Sequence, residues 1–238
     1  PGHSHRGVDS APQQIYDGMI ELRNFSIGYG RRTLLDRVAA NFRKGELTAL
    51  IGRNGTGKST LLRALAGLNR RYTGEILIDG KNLRHISAGQ LARTMAFVTT
   101  ERTRIANLRC EDVVAIGRAP YTNWIGSLQE ADREIVARSL ADVGMGAYAD
   151  RTMDKMSDGE CQRIMIARAL AEDTPAILLD EPTSFLDMPT RYELVALLRK
   201  LAREQGKCVL FSPHALDIAM QPCHNIAPLD TPQLHCMP

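Results

Sequence analysis

At 238 residues the chain can bury a substantial core, which excludes a disulfide-stapled miniature fold. Hydrophobic residues at 44% and charged residues at 24% sit near globular averages, so a disordered or fibrous chain is excluded as well. A net charge of +3, with both signs mixed along the chain, is too small to announce a nucleic-acid surface, and no nucleic-acid partner is expected.

Residues 1–14 read as a polar tail, and the start at Pro1 rather than Met reads as a trimmed or engineered terminus. From about residue 15, Ile20 and Leu22 alternate with Glu21 and Arg23, a half-buried strand running toward Gly28-Tyr29-Gly30. Leu47 to Ile51 is a short apolar run that leads into a glycine loop, and Leu61, Leu62, Leu65 and Leu68 then recur at helical spacing. Glu75 to Asp79 and Met95 to Val98 supply further strands. Between about 103 and 160 strand signals fade, while Val113, Val114, Ile116 and later Ile135, Val136, Leu140 fall at helical spacing, predicting a helical subdomain. Ser127 with Glu130 reads as a capping box at one helix start. Strands return at Ala176 to Leu179 and Val209 to Phe211, on either side of a helix whose face is Leu194, Leu197, Leu198 and Leu201 and whose cap reads as Thr190 with Glu193. Strands alternating with helices imply an α/β fold with a mostly parallel, buried sheet.

Two motifs carry chemistry. The run Gly52-Arg53-Asn54-Gly55-Thr56-Gly57-Lys58-Ser59 fits the phosphate loop of P-loop NTPases. Its glycines let backbone N–H groups turn toward phosphate oxygens, and the helix that follows adds positive potential. Lys58 reaches the β- and γ-phosphates, and the Ser59 hydroxyl, beside Thr60, is placed to ligate Mg²⁺. Downstream, the apolar strand Ala176 to Leu179 runs into Asp180-Glu181, two carboxylates at the strand end where phosphate crevices open. Asp180 is the expected Mg²⁺ residue and Glu181 the group that orients or deprotonates the attacking water.

Together these residues resemble an ABC-transporter nucleotide-binding domain, from about residue 15 to the end. Ser157-Asp158-Gly159-Glu160-Cys161-Gln162 resembles the family signature, Ser184-Phe185-Leu186-Asp187 the D-loop, and His214 the switch histidine. Tyr29 lies where the family stacks an aromatic ring on adenine. The resemblance implies a core sheet, a small antiparallel β portion and a helical subdomain inserted at about 103–160. It implies an ATP site formed by Tyr29, Gly52, Asn54, Gly55, Gly57, Lys58, Ser59 and Thr60, closed by Ser157, Gly159 and Asp187 of a second copy. The expected ligands are ATP and Mg²⁺, in a head-to-tail dimer docked on membrane permease subunits and served indirectly by a substrate-binding protein. The expected place is the cytoplasmic face of the cell membrane.

Several positions depart from the pattern. Asp158 stands where glycine is usual, Pro213 and Ala215 flank His214, and Val98-Thr99-Thr100-Glu101-Arg102 lacks the family glutamine. Glu101 either has the reach to take that glutamine's place at Mg²⁺ or is a solvated loop acid paired with Arg102 or Arg104, whereas the Thr100 hydroxyl is too short without a bridging water. This stretch and Ala119-Pro120-Tyr121-Thr122 resemble the subset serving iron-siderophore, haem or cobalamin import. Two other readings compete: a non-transport ABC protein acting on nucleic acid or ribosomes, and an ATP-dependent dimerising module with weak hydrolysis. The chain shows neither a second nucleotide domain nor a long coiled-coil insertion, and it ends soon after the switch region, where some importers carry a regulatory domain.

No run approaches the ~18 apolar residues of a membrane helix, so any membrane role runs through a partner. Five cysteines, odd in number and without CxxC spacing, read as reduced thiols, and the adjacent pairs Cys223-His224 and His235-Cys236 match no common metal spacing.

Overall fold

The computed structural model describes residues 18–99, 105–122, 127–213 and 223–237. The polar tail at 1–14 lies outside them. Strand β1 (Ile20–Tyr29) pairs antiparallel with β2 (Arg32–Phe42), turning through Gly30 at φ 57°. Next come β3 (Leu47–Ile51), helix α1 (Lys58–Leu65), β4 (Tyr72–Ile78), β5 (Lys81–Asn82), α2 (Ala88–Ala92) and β6 (Met95–Val98). A helical stretch follows with α3 (Cys110–Ala115), α4 (Glu130–Asp142) and α5 (Asp158–Ala171). The chain then forms β7 (Ala176–Asp180), α6 (Met188–Gln205), β8 (Cys208–Ser212), β9 (Asn225–Asp230) and β10 (Gln233–Leu234).

Among the described residues these strands make two sheets. One is antiparallel, in the order β2-β1-β4-β5; the other runs β10-β9-β3-β8-β7-β6, parallel except at β10. Side chains on a strand point alternately to its two faces. Ile177, Leu179, Val209 and Phe211 therefore enter one core with α3 to α6, while Ala176, Leu178, Cys208 and Leu210 enter another with α1 and the antiparallel sheet. Burial on both faces explains why β7 and β8 read as unbroken apolar runs rather than alternating ones.

The structure corrects five local readings. Strand β2 went unpredicted, because its exposed Arg32, Thr33, Asp36 and Arg37 dilute the apolar signal. Helix α1 stops at Leu65, leaving Leu68 in the loop and 68% exposed, and Ile116 lies just beyond α3 rather than inside it. Helix α4 is capped at Gln129, not Ser127: the Gln129 N–H donates to Oδ2 of Asp132 at 3.1 Å, and the other oxygen of that carboxylate accepts from Arg118 Nε at 2.8 Å. A tertiary ion pair thus fixes the helix start. Helix α6 is capped by Asp187, not Thr190, with Oδ1 accepting from the Thr190 N–H at 3.1 Å and Pro189 setting the first turn.

Candidate functional site

The site gathers at the C-terminal ends of the parallel strands. β3 delivers the phosphate loop, β7 delivers Asp180 and Glu181, and β8, which lies between β3 and β7, delivers Ser212. The loop needs glycine where a side chain cannot stand. A Cβ on Gly52 would meet the Leu229 carbonyl at 2.8 Å; Gly57, at φ 107°, would place one 3.2 Å from Leu34 Cβ. Gly55 is left-handed too, at φ 81°. The loop is further pinned by Thr56 Oγ1 donating to the Arg53 carbonyl at 2.9 Å and by Arg32 donating to the Gly55 carbonyl at 3.2 Å.

Helix α1 begins at Gly57 with no side-chain cap and no acid in its first turn, so its leading N–H groups meet no carboxylate of their own element. Lys58 Nζ folds inward and donates to the carbonyls of Gly52 at 2.7 Å and Arg53 at 3.2 Å. A flexible ammonium that, among the described residues, is held by carbonyls of its own loop can turn to an incoming phosphate. Tyr29, 60% exposed, stands at the rim, where its hydroxyl accepts from Thr60 Oγ1 at 3.4 Å.

Ser59 Oγ donates to Oδ1 of Asp180 at 3.0 Å, joining the two motifs. The same oxygen accepts from Ser212 Oγ at 2.8 Å, and that hydroxyl in turn accepts from the Glu181 N–H at 2.9 Å. Ser212 is a site residue that sequence reasoning missed; its signal was a small polar residue closing the apolar strand 208–211. Glu181 adopts φ 46°, in the left-handed region where a non-glycine residue is strained. Its Oε2 accepts from Ser184 Oγ at 3.1 Å, a second partner the sequence did not disclose. A hydroxyl beside a buried carboxylate is an all-oxygen donor set suited to a hard cation, so Ser59 and Asp180 fit Mg²⁺.

At the start of α5, Ser157 and Glu160 form the expected capping box. The Glu160 N–H donates to Ser157 Oγ at 3.2 Å and the Ser157 N–H to Glu160 Oε2 at 2.8 Å, which holds the Glu160 carboxyl below its usual range. Among the described residues neither Ser157 nor Gly159 bonds to the phosphate loop. Gly159 packs instead on the 184–187 loop, where a Cβ would lie 2.9 Å from the Phe185 carbonyl. Hydrogen bonds from Thr190, side chain first and then backbone, hold Asp187 below its usual range too. His214, Glu101 and Thr100 lie outside the described residues.

The family model described as ABC transporter matches residues 35–184. The chain is a member of the ABC transporter family. An uncharacterised ABC transporter ATP-binding protein of Methanocaldococcus jannaschii is 40% identical to this cassette over 88% of the chain and 72% of that protein. The achromobactin transport ATP-binding protein of Dickeya dadantii is 36% identical over 84% of the chain and 74% of its own length. The iron(3+)-hydroxamate import ATP-binding protein of Bacillus subtilis is 35% identical over 88% and 78%. Among solved structures, a dimeric post-hydrolysis ATP-binding cassette with ADP and Pi superposes with a TM-score of 0.79 at 27% identity, covering 92% of this chain and 98% of that one. A putative metal-chelate type ABC transporter in an inward-facing conformation gives 0.79 at 26% identity, covering 92% and 82%. The cassette is accordingly an ATP-binding, ATP-hydrolysing α/β P-loop protein. Among its described residues no helix is long and apolar enough to cross a membrane.

Proposed function

We propose that the cassette powers an importer of iron-siderophore or related metal chelates, bound to permease subunits at the inner face of the membrane. The observation that carries this reading is the match to achromobactin and iron(3+)-hydroxamate proteins along 84% and 88% of the chain. Two copies pair head to tail, each supplying Ser157, Gly159 and Asp187 to close the ATP site of the other. The helical stretch, about 103–160, forms the subdomain that meets the permease.

In each site the loop amides and Lys58 hold the phosphates, and Tyr29 stacks on adenine. Ser59 and Asp180 hold Mg²⁺, with Glu101 completing the set. Held there, the ion would supply positive charge that offsets the charge of the phosphates. Glu181, steadied by Ser184, takes the proton of the attacking water, and His214 contacts the γ-phosphate. A substrate-binding protein selects the chelate outside the membrane.

Co-expression with its permease decides the matter. The expected result is a co-purifying complex whose ATP turnover rises when a ferric-siderophore and its binding protein are supplied. A cassette that turns over ATP alone and retains no permease overturns the importer reading.

A further inference from the structure

A buried cation grips the last turn of α5. The 3-10 segment Ile116–Tyr121 lies so close to that turn that a Cβ on Gly117 would run into the Arg168 carbonyl. Beside the glycine, Arg118 is 7% exposed and donates through Nη1 to the Ala171 carbonyl and through Nε to Oδ1 of Asp132 on α4, both at 2.8 Å. Its guanidinium also lies 4.2 Å from the Tyr121 ring centre. Arg93, between α2 and β6, brings the core into the cluster. It donates from Nε to the Pro120 carbonyl at 2.9 Å, with its guanidinium 5.7 Å from the same ring.

The carbonyls that end a helix have no partner within it, and a cation there gains from the helix dipole. A buried cation also needs a compensating carboxylate. Asp132 supplies it, held below its usual range by Arg118 first and then by the Gln129 N–H. A planar fork can donate in two directions and lay its face on a ring at once, whereas lysine offers a single point charge. Helix α5 is the strut that joins this clasp to the site. It is about 20 Å long, with the Ser157–Glu160 box at its start and Ala171 at its end. Past Ala171, Lys207 Nζ binds the Thr174 carbonyl at 2.8 Å and Asp173 at 3.2 Å, and the chain enters β7, which ends at Asp180.

We propose that Arg118 is a positioning residue for ATP hydrolysis: clasping the Ala171 carbonyl, it sets the lie of α5 and so the place at which the Ser157–Glu160 box meets the nucleotide of a second copy. What that box meets follows from the head-to-tail reading, on which this role rests. The Arg118 hydrogen bonds go to α4 and α5 rather than to the phosphate loop, so its loss should slow hydrolysis without weakening the hold of Lys58 on ATP.

Arg118→Lys keeps a charge beside Asp132 but cannot also span Ala171 and Tyr121. In the purified chain it should lower kcat roughly tenfold, while ATP affinity, read with a fluorescent nucleotide, stays within about twofold of the parent's. Tyr121→Leu removes the ring beside the guanidinium and should lower kcat about threefold. Leu140→Ala opens a cavity in the core that α5 shares. It should lower the denaturation midpoint at least as far as Arg118→Lys does, with kcat near the parent's well below that midpoint. In a Glu181→Gln background, Arg118→Lys should also diminish the ATP-stabilised dimer. Parental kcat in both the Arg118 and Tyr121 variants, or a kcat that tracks the midpoint across all three variants, overturns the positioning role. If Glu181→Gln alone forms no dimer, the head-to-tail reading falls while the kcat comparison still decides Arg118; if the dimer forms equally with and without Arg118→Lys, only this inference falls.

Discussion

The Ser59 hydroxyl and the Asp180 carboxylate lie 3.0 Å apart although 121 residues of chain separate them. That contact requires α1 to pack across β7 and sets the phosphate loop against the carboxylate strand. Ser212, on the strand between, bonds to the same oxygen, so the order of strands in the sheet determines the order of groups in the site.

Replacing Ser212 by alanine removes one donor to Asp180 and the hydroxyl that accepts from the Glu181 N–H. An unpaired buried polar group costs about 1–3 kcal/mol. We expect Ser212→Ala to lower the denaturation midpoint and slow ATP turnover, while Ser212→Thr recovers part of both. Unchanged turnover in the alanine variant would separate this hydroxyl from the site's geometry.

Lys58→Ala removes the flexible cation that now rests on the Gly52 and Arg53 carbonyls. Loss of a charged donor costs about 1.5–3 kcal/mol, so ATP affinity by calorimetry should drop roughly ten- to a hundredfold. Affinity equal to the parent's would contradict a phosphate role for this loop.

Glu181→Gln keeps the shape and the Ser184 contact but loses the base. Turnover should fall roughly 10²- to 10⁴-fold with ATP affinity retained, and an ATP-stabilised dimer should elute in size-exclusion chromatography. A variant that hydrolyses at the parent rate rules out Glu181 as the proton acceptor.

Burial pushes the Glu172 carboxyl up from 4.5 to about 7, opposed by Arg168, whose Nε is 3.9 Å away. With the folded pKa above the unfolded one, the native state holds its proton longer. Stability is therefore lost as pH rises from about 4.5 to about 7 and stays reduced above that window. Glu172→Gln should raise stability at pH 8 by an amount on the order of 1–3 kcal/mol and change little at pH 4. Parallel denaturation curves at both pH values would refute the shift.

Much of the site was legible because its chemistry is local in sequence. The phosphate loop and Asp180-Glu181 each occupy one short stretch whose spacing declares its purpose, and the Ser157–Glu160 box reads the same way. Most of what stayed hidden depends on contacts between distant segments. The start of α4 is set by Asp132 reaching Arg118, and no pattern near Ser127 could disclose that. The D-loop aspartate displaced Thr190 as a cap because its carboxylate accepts the Thr190 N–H itself. Ser212 looked like an ordinary serine until the sheet placed it beside Asp180. Strand β2 was obscured by its solvent face, since antiparallel edge strands bury only one side.

The left-handed backbone at Glu181 sets selection for durability against selection for work. A side chain at φ 46° costs about 1–2 kcal/mol that glycine avoids. Drift toward a sturdier protein would thus favour Glu181→Gly, which relaxes the turn and discards the base. In a library sorted for thermal resistance alone, glycine should accumulate at this position, and in one sorted for ATP turnover it should vanish.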